Sequence, residues 1–112
     1  MENKYLTQTE NEAVKIFSER IKDLLNDNLV SIRLFGSKVR GDFSDDSDID
    51  ILIVLKEKDY ALREKIYDIL VDIDLTYDPK ISLKIYTEKE MEKNKQLGSP
   101  FVLNVEREGL ML

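Results

Sequence analysis

Between Ala13 and Leu25 the apolar residues Ala13, Ile16, Phe17, Ile21, Leu24 and Leu25 recur at the three- and four-residue intervals that line one face of a helix. Two overlapping capping boxes stand before them, Thr7-Gln8-Thr9-Glu10 and Thr9-Glu10-Asn11-Glu12. The spacing predicts a first helix running to about Asn26. The period then drops to two. Val30, Ile32 and Leu34 alternate with Ser31 and Arg33, which predicts a strand ending at Gly36-Ser37. Residues 49–55 form an apolar run that reads as a buried second strand. Leu62, Ile66, Ile69, Leu70, Ile73 and Tyr77 return to helical spacing, and Asp78-Pro79 closes that helix, since a residue before proline avoids the helical region. Ile81, Leu83 and Ile85 mark a third strand. Thr87-Glu88-Lys89-Glu90 caps a helix over about 88–97. Ser99-Pro100 opens a last short helix, with serine as cap and proline at its first position. Gly109 stops it, and Leu110-Met111-Leu112 predicts a short final strand.

The order is helix, strand, strand, helix, strand, helix, helix. A helix between the second and third strands allows a crossover, and the first two strands can lie antiparallel across the acidic loop between them. The expected fold class is α/β (α+β): a small mixed sheet with helices packed on one face. The expected organisation is a single domain over residues 1–112. Phe17, Tyr60, Tyr67, Tyr77 and Phe101 sit on helical patterns and are expected in the core.

Composition narrows the class. A chain of 112 residues can build one modest core, and 42% apolar with 36% charged residues suits a soluble folded protein. It has no apolar run of membrane-spanning length, and Met1 is not followed by the apolar stretch of a signal peptide, so the expected compartment is cytoplasmic. Cysteine and histidine are both absent. Disulfides, thiolate metal sites, imidazole catalysis and histidine-bound zinc are therefore excluded. A net charge of −6 argues against a free-standing binder of nucleic-acid backbone.

Part of that acidity is local, with Asp42, Asp45, Asp46, Asp48 and Asp50 inside nine residues. Asp42, Asp45 and Asp46 read as a solvated turn, as do Ser44 and Ser47. Asp48 and Asp50 differ because they open the apolar strand. Residues i and i+2 of a strand share a face, so the two carboxylates project together. Side by side they repel, and one would tend to protonate. A divalent cation relieves that conflict, and Mg²⁺ is commonly held by one or two carboxylates plus substrate phosphates. The Gly36-Ser37 turn offers backbone N–H donors and a hydroxyl for such phosphates.

Taken together, Leu34-Phe35-Gly36-Ser37, Arg40-Gly41 and Ser47-Asp48-Ile49-Asp50 resemble the signature of the minimal nucleotidyltransferases of the DNA polymerase β superfamily. The motif occupies residues 34–55, while the order of elements agrees over nearly the whole chain. The resemblance implies the same mixed sheet. It implies that Gly36 and Ser37 bind the triphosphate and that Asp48 and Asp50 are the catalytic Mg²⁺ ligands. Arg40, and less readily Lys38, either reach phosphate oxygens or pair with neighbouring acids. The implied activity is transfer of a nucleoside monophosphate, AMP from ATP, to a hydroxyl. Short family members often act beside a separate helical partner of the HEPN class as antitoxins, so a protein acceptor is implied, with neither membrane nor nucleic acid called for.

One position departs from the pattern. Active members usually carry a third carboxylate on the next strand, just before a Thr-x-Glu helix start. Here Leu83-Lys84-Ile85-Tyr86-Thr87-Glu88 puts Lys84 there, with Ser82 and Tyr86 on the same side. Neither lysine nor serine replaces a carboxylate. Asp72, Asp74 and Asp78 are conceivable substitutes, the first two expected on a solvated helix face and the third in a turn. The alternative function is a catalytically impaired module that neutralises its partner by direct contact.

Overall fold

A computed structural model describes residues 3–44 and 47–112. In chain order they form α1 (Gln8–Leu25), a 3₁₀ turn (Asn26–Asn28), β1 (Leu29–Phe35), the one-turn helix α2 (Ser37–Arg40), β2 (Ile49–Leu55), α3 (Tyr60–Tyr77), β3 (Ile81–Thr87), α4 (Glu88–Gln96), α5 (Pro100–Glu108) and β4 (Leu110–Met111). The expected elements are all present. α2 is additional, because four residues are too few to show a period.

Local chemistry sets the ends. Of the two overlapping boxes at the start, the first is used: the Thr7 hydroxyl accepts from Glu10 N–H at 3.0 Å, and Glu10 accepts from Thr7 N–H at 2.9 Å. α3 begins two residues ahead of Leu62 because Asp59 caps it, accepting from Leu62 N–H at 2.7 Å. It ends at Asp78, whose left-handed φ of 50° turns the chain out of the helix.

The four strands are ordered β3-β2-β1-β4. β1 runs antiparallel to β2 and β4, and β3 runs parallel to β2. The α3 crossover permits that parallel pair, while the shorter acidic loop simply reverses the chain.

β2 shows why the molecule is layered as it is. Ile49, Ile51, Ile53 and Leu55, all fully buried, join Phe17, Ile21, Ile66 and Ile73 under α1 and α3. Leu52 and Val54 face the opposite way, against Val105, Phe101, Phe35, Met91 and Tyr86. Both faces of β2 are thus covered, which accounts for its continuous apolar run. The mixed sheet with helices is as expected, but the helices are not confined to one face. α4 and α5 lie opposite α1 and α3, because Leu52 and Val54 also need cover. Phe17, Tyr67, Tyr77 and Phe101 pack as expected. Tyr60 does not: it is 75% exposed, since the first residue of α3 lies on the flank of that helix. Among the described residues no helix is long and apolar enough to cross a membrane.

Candidate functional site

Asp50 is the second residue of β2, paired with Phe35 on β1 and Ser82 on β3. The chain leaves β1 at Gly36 with φ 83° and ψ −157°, a region almost closed to residues with a side chain. A Cβ on Gly36 would collide with Asp50 Oδ2 and lie 3.1 Å from Asp50 Cγ. The bare backbone of Gly36 is therefore the floor on which the Asp50 carboxylate rests. The glycine turn and the acidic strand of the motif are two sides of one contact.

α2 follows at once. Val39 and Arg40 N–H both donate to the Gly36 carbonyl, at 3.0 and 3.2 Å. The leading N–H groups of a helix lack intrahelical acceptors, so Ser37 and Lys38 supply the donors suited to a phosphate. α2 closes at Gly41, with φ 90°, where a Cβ would stand 2.7 Å from the Tyr5 ring.

The two nearby cations behave differently. Lys38 is buried, with its Nζ 3.8 Å from Glu10 Oε2 and 4.2 Å from the Phe43 ring centroid. Phe43 in turn meets Tyr5 edge-on at 5.9 Å. Lys38 thus anchors α2 to the start of α1 and does not reach into the site. Arg40 is exposed and pairs with Asp42 at 3.1 Å and Glu108 at 3.2 Å. These two acceptors raise its pKa, Asp42 first. Of the readings open for Arg40, pairing with a neighbouring acid is the one present; Glu108, brought in by α5, gave no sequence signal.

Asp48 is exposed at the mouth of β2, and Asp50 is half-buried. The Asp50 carboxyl is held above the usual aspartate range, first by burial and then by the Asp48 charge, with Lys84 and Arg40 opposing. The neighbouring carboxylate thus adds to burial in disfavouring the Asp50 charge. Asp50 against the Gly36 turn, with Asp48 two residues earlier, is a donor set of the kind that holds Mg²⁺ together with substrate oxygens. Among the described residues no group of three or more acidic, histidine or cysteine side chains could hold a metal. Lys84 stands in the third place, across from Leu52 on β3, with its Nζ 5.9 Å from the Phe101 centroid. Among the described residues it forms no ion pair with Asp48 or Asp50.

The conceivable substitutes do not join the pair. Asp72 binds Arg20 at 3.2 Å. Asp74 is half-buried on α3, not on a solvated face, and Asp78 ends that helix. Asp45 and Asp46, read as a solvated turn, lie outside the described residues. The turn reading holds for Ser44 and Ser47: Ser44 N–H donates to Ser47 Oγ at 2.9 Å, and Ser47 N–H to the Ser44 carbonyl at 3.1 Å. An aromatic wall completes the Asp50 face of the sheet, with Phe101 5.4 Å from Phe35 and 5.7 Å from Tyr86. Sequence reasoning assigned Tyr86 to that side and missed Phe35, whose signal was its position beside Gly36.

Comparison with known proteins bears on the family and the fold. The profile of the nucleotidyltransferase domain matches residues 13–105. Two proteins of Methanocaldococcus jannaschii, named as candidate protein adenylyltransferases, are similar to this chain. One is 36% identical over 100 residues, covering 88% of this chain and 94% of its own. The other is 35% identical over 104 residues, covering 92% and 97%. Two solved structures share the fold. A protein of Sulfolobus solfataricus described as a candidate nucleotidyltransferase superposes with a TM-score of 0.52 at 22% identity, covering 94% of this chain and 86% of its own. A toxin-antitoxin structure with AMP-PNP gives 0.54 at 20% identity, covering 87% and 70%. By its matched profile, its full-length relatives and its fold, the chain belongs to the nucleotidyltransferase domain family.

Proposed function

We propose that this chain binds a nucleoside triphosphate with Mg²⁺ and transfers a nucleoside monophosphate, AMP from ATP, to a hydroxyl on a partner protein. The observation that carries this is the Asp50 carboxylate resting on Gly36, with Asp48 exposed just ahead of β2. Asp48 and Asp50 would hold the ion, and Gly36 and Ser37 would receive the phosphates. When bound, Mg²⁺ supplies neutralisation of charge on the triphosphate and on the oxygens being exchanged. Gly36 keeps the turn close to the carboxylates, and α2 presents its leading N–H groups. Arg40 would exchange Asp42 for a phosphate oxygen, a small change for an exposed guanidinium. The acceptor oxygen bonds to the α-phosphorus, and the bond to the β-phosphate oxygen breaks, releasing pyrophosphate. The hydroxyl proton leaves to Asp50 or to solvent, because Lys84 stands where a third carboxylate would otherwise take it.

The names of the relatives support a protein acceptor and an adenylyl group. The toxin-antitoxin neighbour supports a partner protein, here proposed as a helical HEPN-type chain in the cytoplasm. Incubation with labelled ATP, Mg²⁺ and the product of an adjacent gene should label that product with the wild type and not with Asp50→Ala. Absence of transfer from both proteins sinks the proposal.

A second reading is a non-catalytic module that binds its partner directly. Lys84 in place of an acid favours it. Calorimetry separates the two: binding of Mg²⁺-ATP without transfer supports the module, and no binding at millimolar nucleotide removes the enzyme reading.

A further inference from the structure

We propose that Lys84 is a phosphate ligand: the site takes a single divalent ion on Asp48 and Asp50, and Lys84 meets the triphosphate from the β3 side. The proposal rests on the reading that this site binds a nucleoside triphosphate with Mg²⁺.

Position is the first argument. Asp50 pairs with Ser82, and Lys84 follows two residues later in β3. Residues two apart on a strand share a face, so Lys84 stands on the Asp50 side of the sheet. Strand spacing and rise put the Asp50 and Lys84 Cα atoms about 8 Å apart, close enough for one phosphate to lie between the two side chains. Lys84 Nζ is 5.9 Å from the Phe101 ring centroid, and Phe101 packs at 5.4 Å on Phe35, the β1 partner of Asp50. The cation is thus held over the face that carries the carboxylate. It is exposed, and the groove of about 500 Å³ that it borders with Arg63, Tyr67 and Tyr86 leaves its outer side open.

Charge is the second. Two carboxylates cancel one divalent ion, so that ion brings no net positive charge to the phosphates. Among the described residues no third acid joins the pair, and nothing there holds a second ion. Lys38 and Arg40 are already committed, Lys38 to Glu10 and the Phe43 ring, Arg40 to both Asp42 and Glu108. Lys84 forms no ion pair among the described residues. Burial and Asp48 raise the Asp50 pKa; of the two cations that oppose them, Lys84 acts more strongly than Arg40. The sheet order adds a geometric reason. Gly36 and Ser37 leave β1 on one side of Asp50, and Lys84 stands on β3 at the other. A phosphate chain crossing Asp50 is therefore met at both flanks, by N–H donors on one and by a point charge on the other.

Calorimetry of the full chain with AMP-PNP and Mg²⁺ tests the ligand. Lys84→Met should weaken binding about tenfold or more, while Lys84→Arg, which keeps the charge, should stay within about threefold of the wild type. Lys84 is exposed, so both variants should fold as the wild type does by circular dichroism. Electron paramagnetic resonance of the wild type with Mn²⁺ and AMP-PNP should count a single bound ion, a readout that needs no variant. A wild type that binds AMP-PNP but is matched by Lys84→Met overturns the proposal and leaves the nucleotide reading standing. So does Lys84→Arg as weak as Lys84→Met, or a count of two ions. A wild type that binds no AMP-PNP at millimolar concentration overturns both.

Discussion

Replacing Gly36 by alanine tests the contact at the centre of the site. Two effects add. The backbone at φ 83° and ψ −157° is strained for any residue with a Cβ, about 1–3 kcal/mol. The new methyl also meets Asp50 Oδ2 and must displace the carboxylate. Gly98→Ala is the control: φ is +75°, yet nothing lies within 4 Å of its Cβ, so only the conformational part remains, about 1–2 kcal/mol. At about 4 °C per kcal/mol for a domain near this size, Gly36→Ala should lower Tm by about 4–12 °C before the collision is counted. Asp50→Ala removes the group that is struck, so Gly36→Ala/Asp50→Ala should lose less than the sum of the single variants, by about 0.5–3 kcal/mol. Urea unfolding of the four proteins measures this coupling. If Gly36→Ala is no worse than Gly98→Ala and adds simply to Asp50→Ala, the glycine does not support the carboxylate and the reasoning fails.

Asp50 holds its proton more tightly folded than unfolded, because burial and Asp48 disfavour its charge. Folding therefore takes up a proton, and stability falls as pH rises from the ordinary aspartate range through the raised folded pKa. Asp50→Asn should lose that decline while losing Mg²⁺ affinity; parallel stability–pH curves for the two proteins would refute the linkage. Lys84→Asp places a third carboxylate beside the pair, so calorimetry should show tighter Mg²⁺ binding, and carboxyl NMR should show Asp50 titrating still higher; unchanged affinity would mean that Lys84 lies outside the site. Ile51 is fully buried in the central strand, so Ile51→Ala should remove about 2–5 kcal/mol by urea unfolding; a loss below 1 kcal/mol would contradict its place in the core. Thr87→Ala breaks the α4 capping box and should cost about 1 kcal/mol, visible as a lower Tm.

The sequence made the elements legible wherever a period or a cap reported them. α1, β1, β2, α3 and β3 each bury one face or both, and burial writes itself as spacing. α2 was silent because one turn has no period. The opposite placement of α4 and α5 was hidden for a related reason. A strand covered on both sides and one covered on a single side differ only at alternate residues, and Leu52 and Val54 pass as part of an apolar run. The carboxylate pair was legible because charge at the start of such a run is anomalous. The tie between Asp50 and Gly36 was not, since it joins two strands through space. Nor was the fate of Lys38, decided by Glu10 of α1, or the second partner of Arg40, Glu108 of α5; its pairing with Asp42 was among the readings the sequence offered.

Tyr5 lies against Gly41 and Phe43, and Phe43 carries Lys38. Asn3 and Asn11 hold that leading segment down, through Asn3 N–H to Asn11 Oδ1 at 2.8 Å and Asn11 Nδ2 to the Asn3 carbonyl at 3.1 Å. The residues ahead of α1 are thus a wedge against α2 and its closing glycine. Whatever pulls on them, whether a fused tag, a protease or a docked partner, pulls on α2 and so on the turn that meets Asp50.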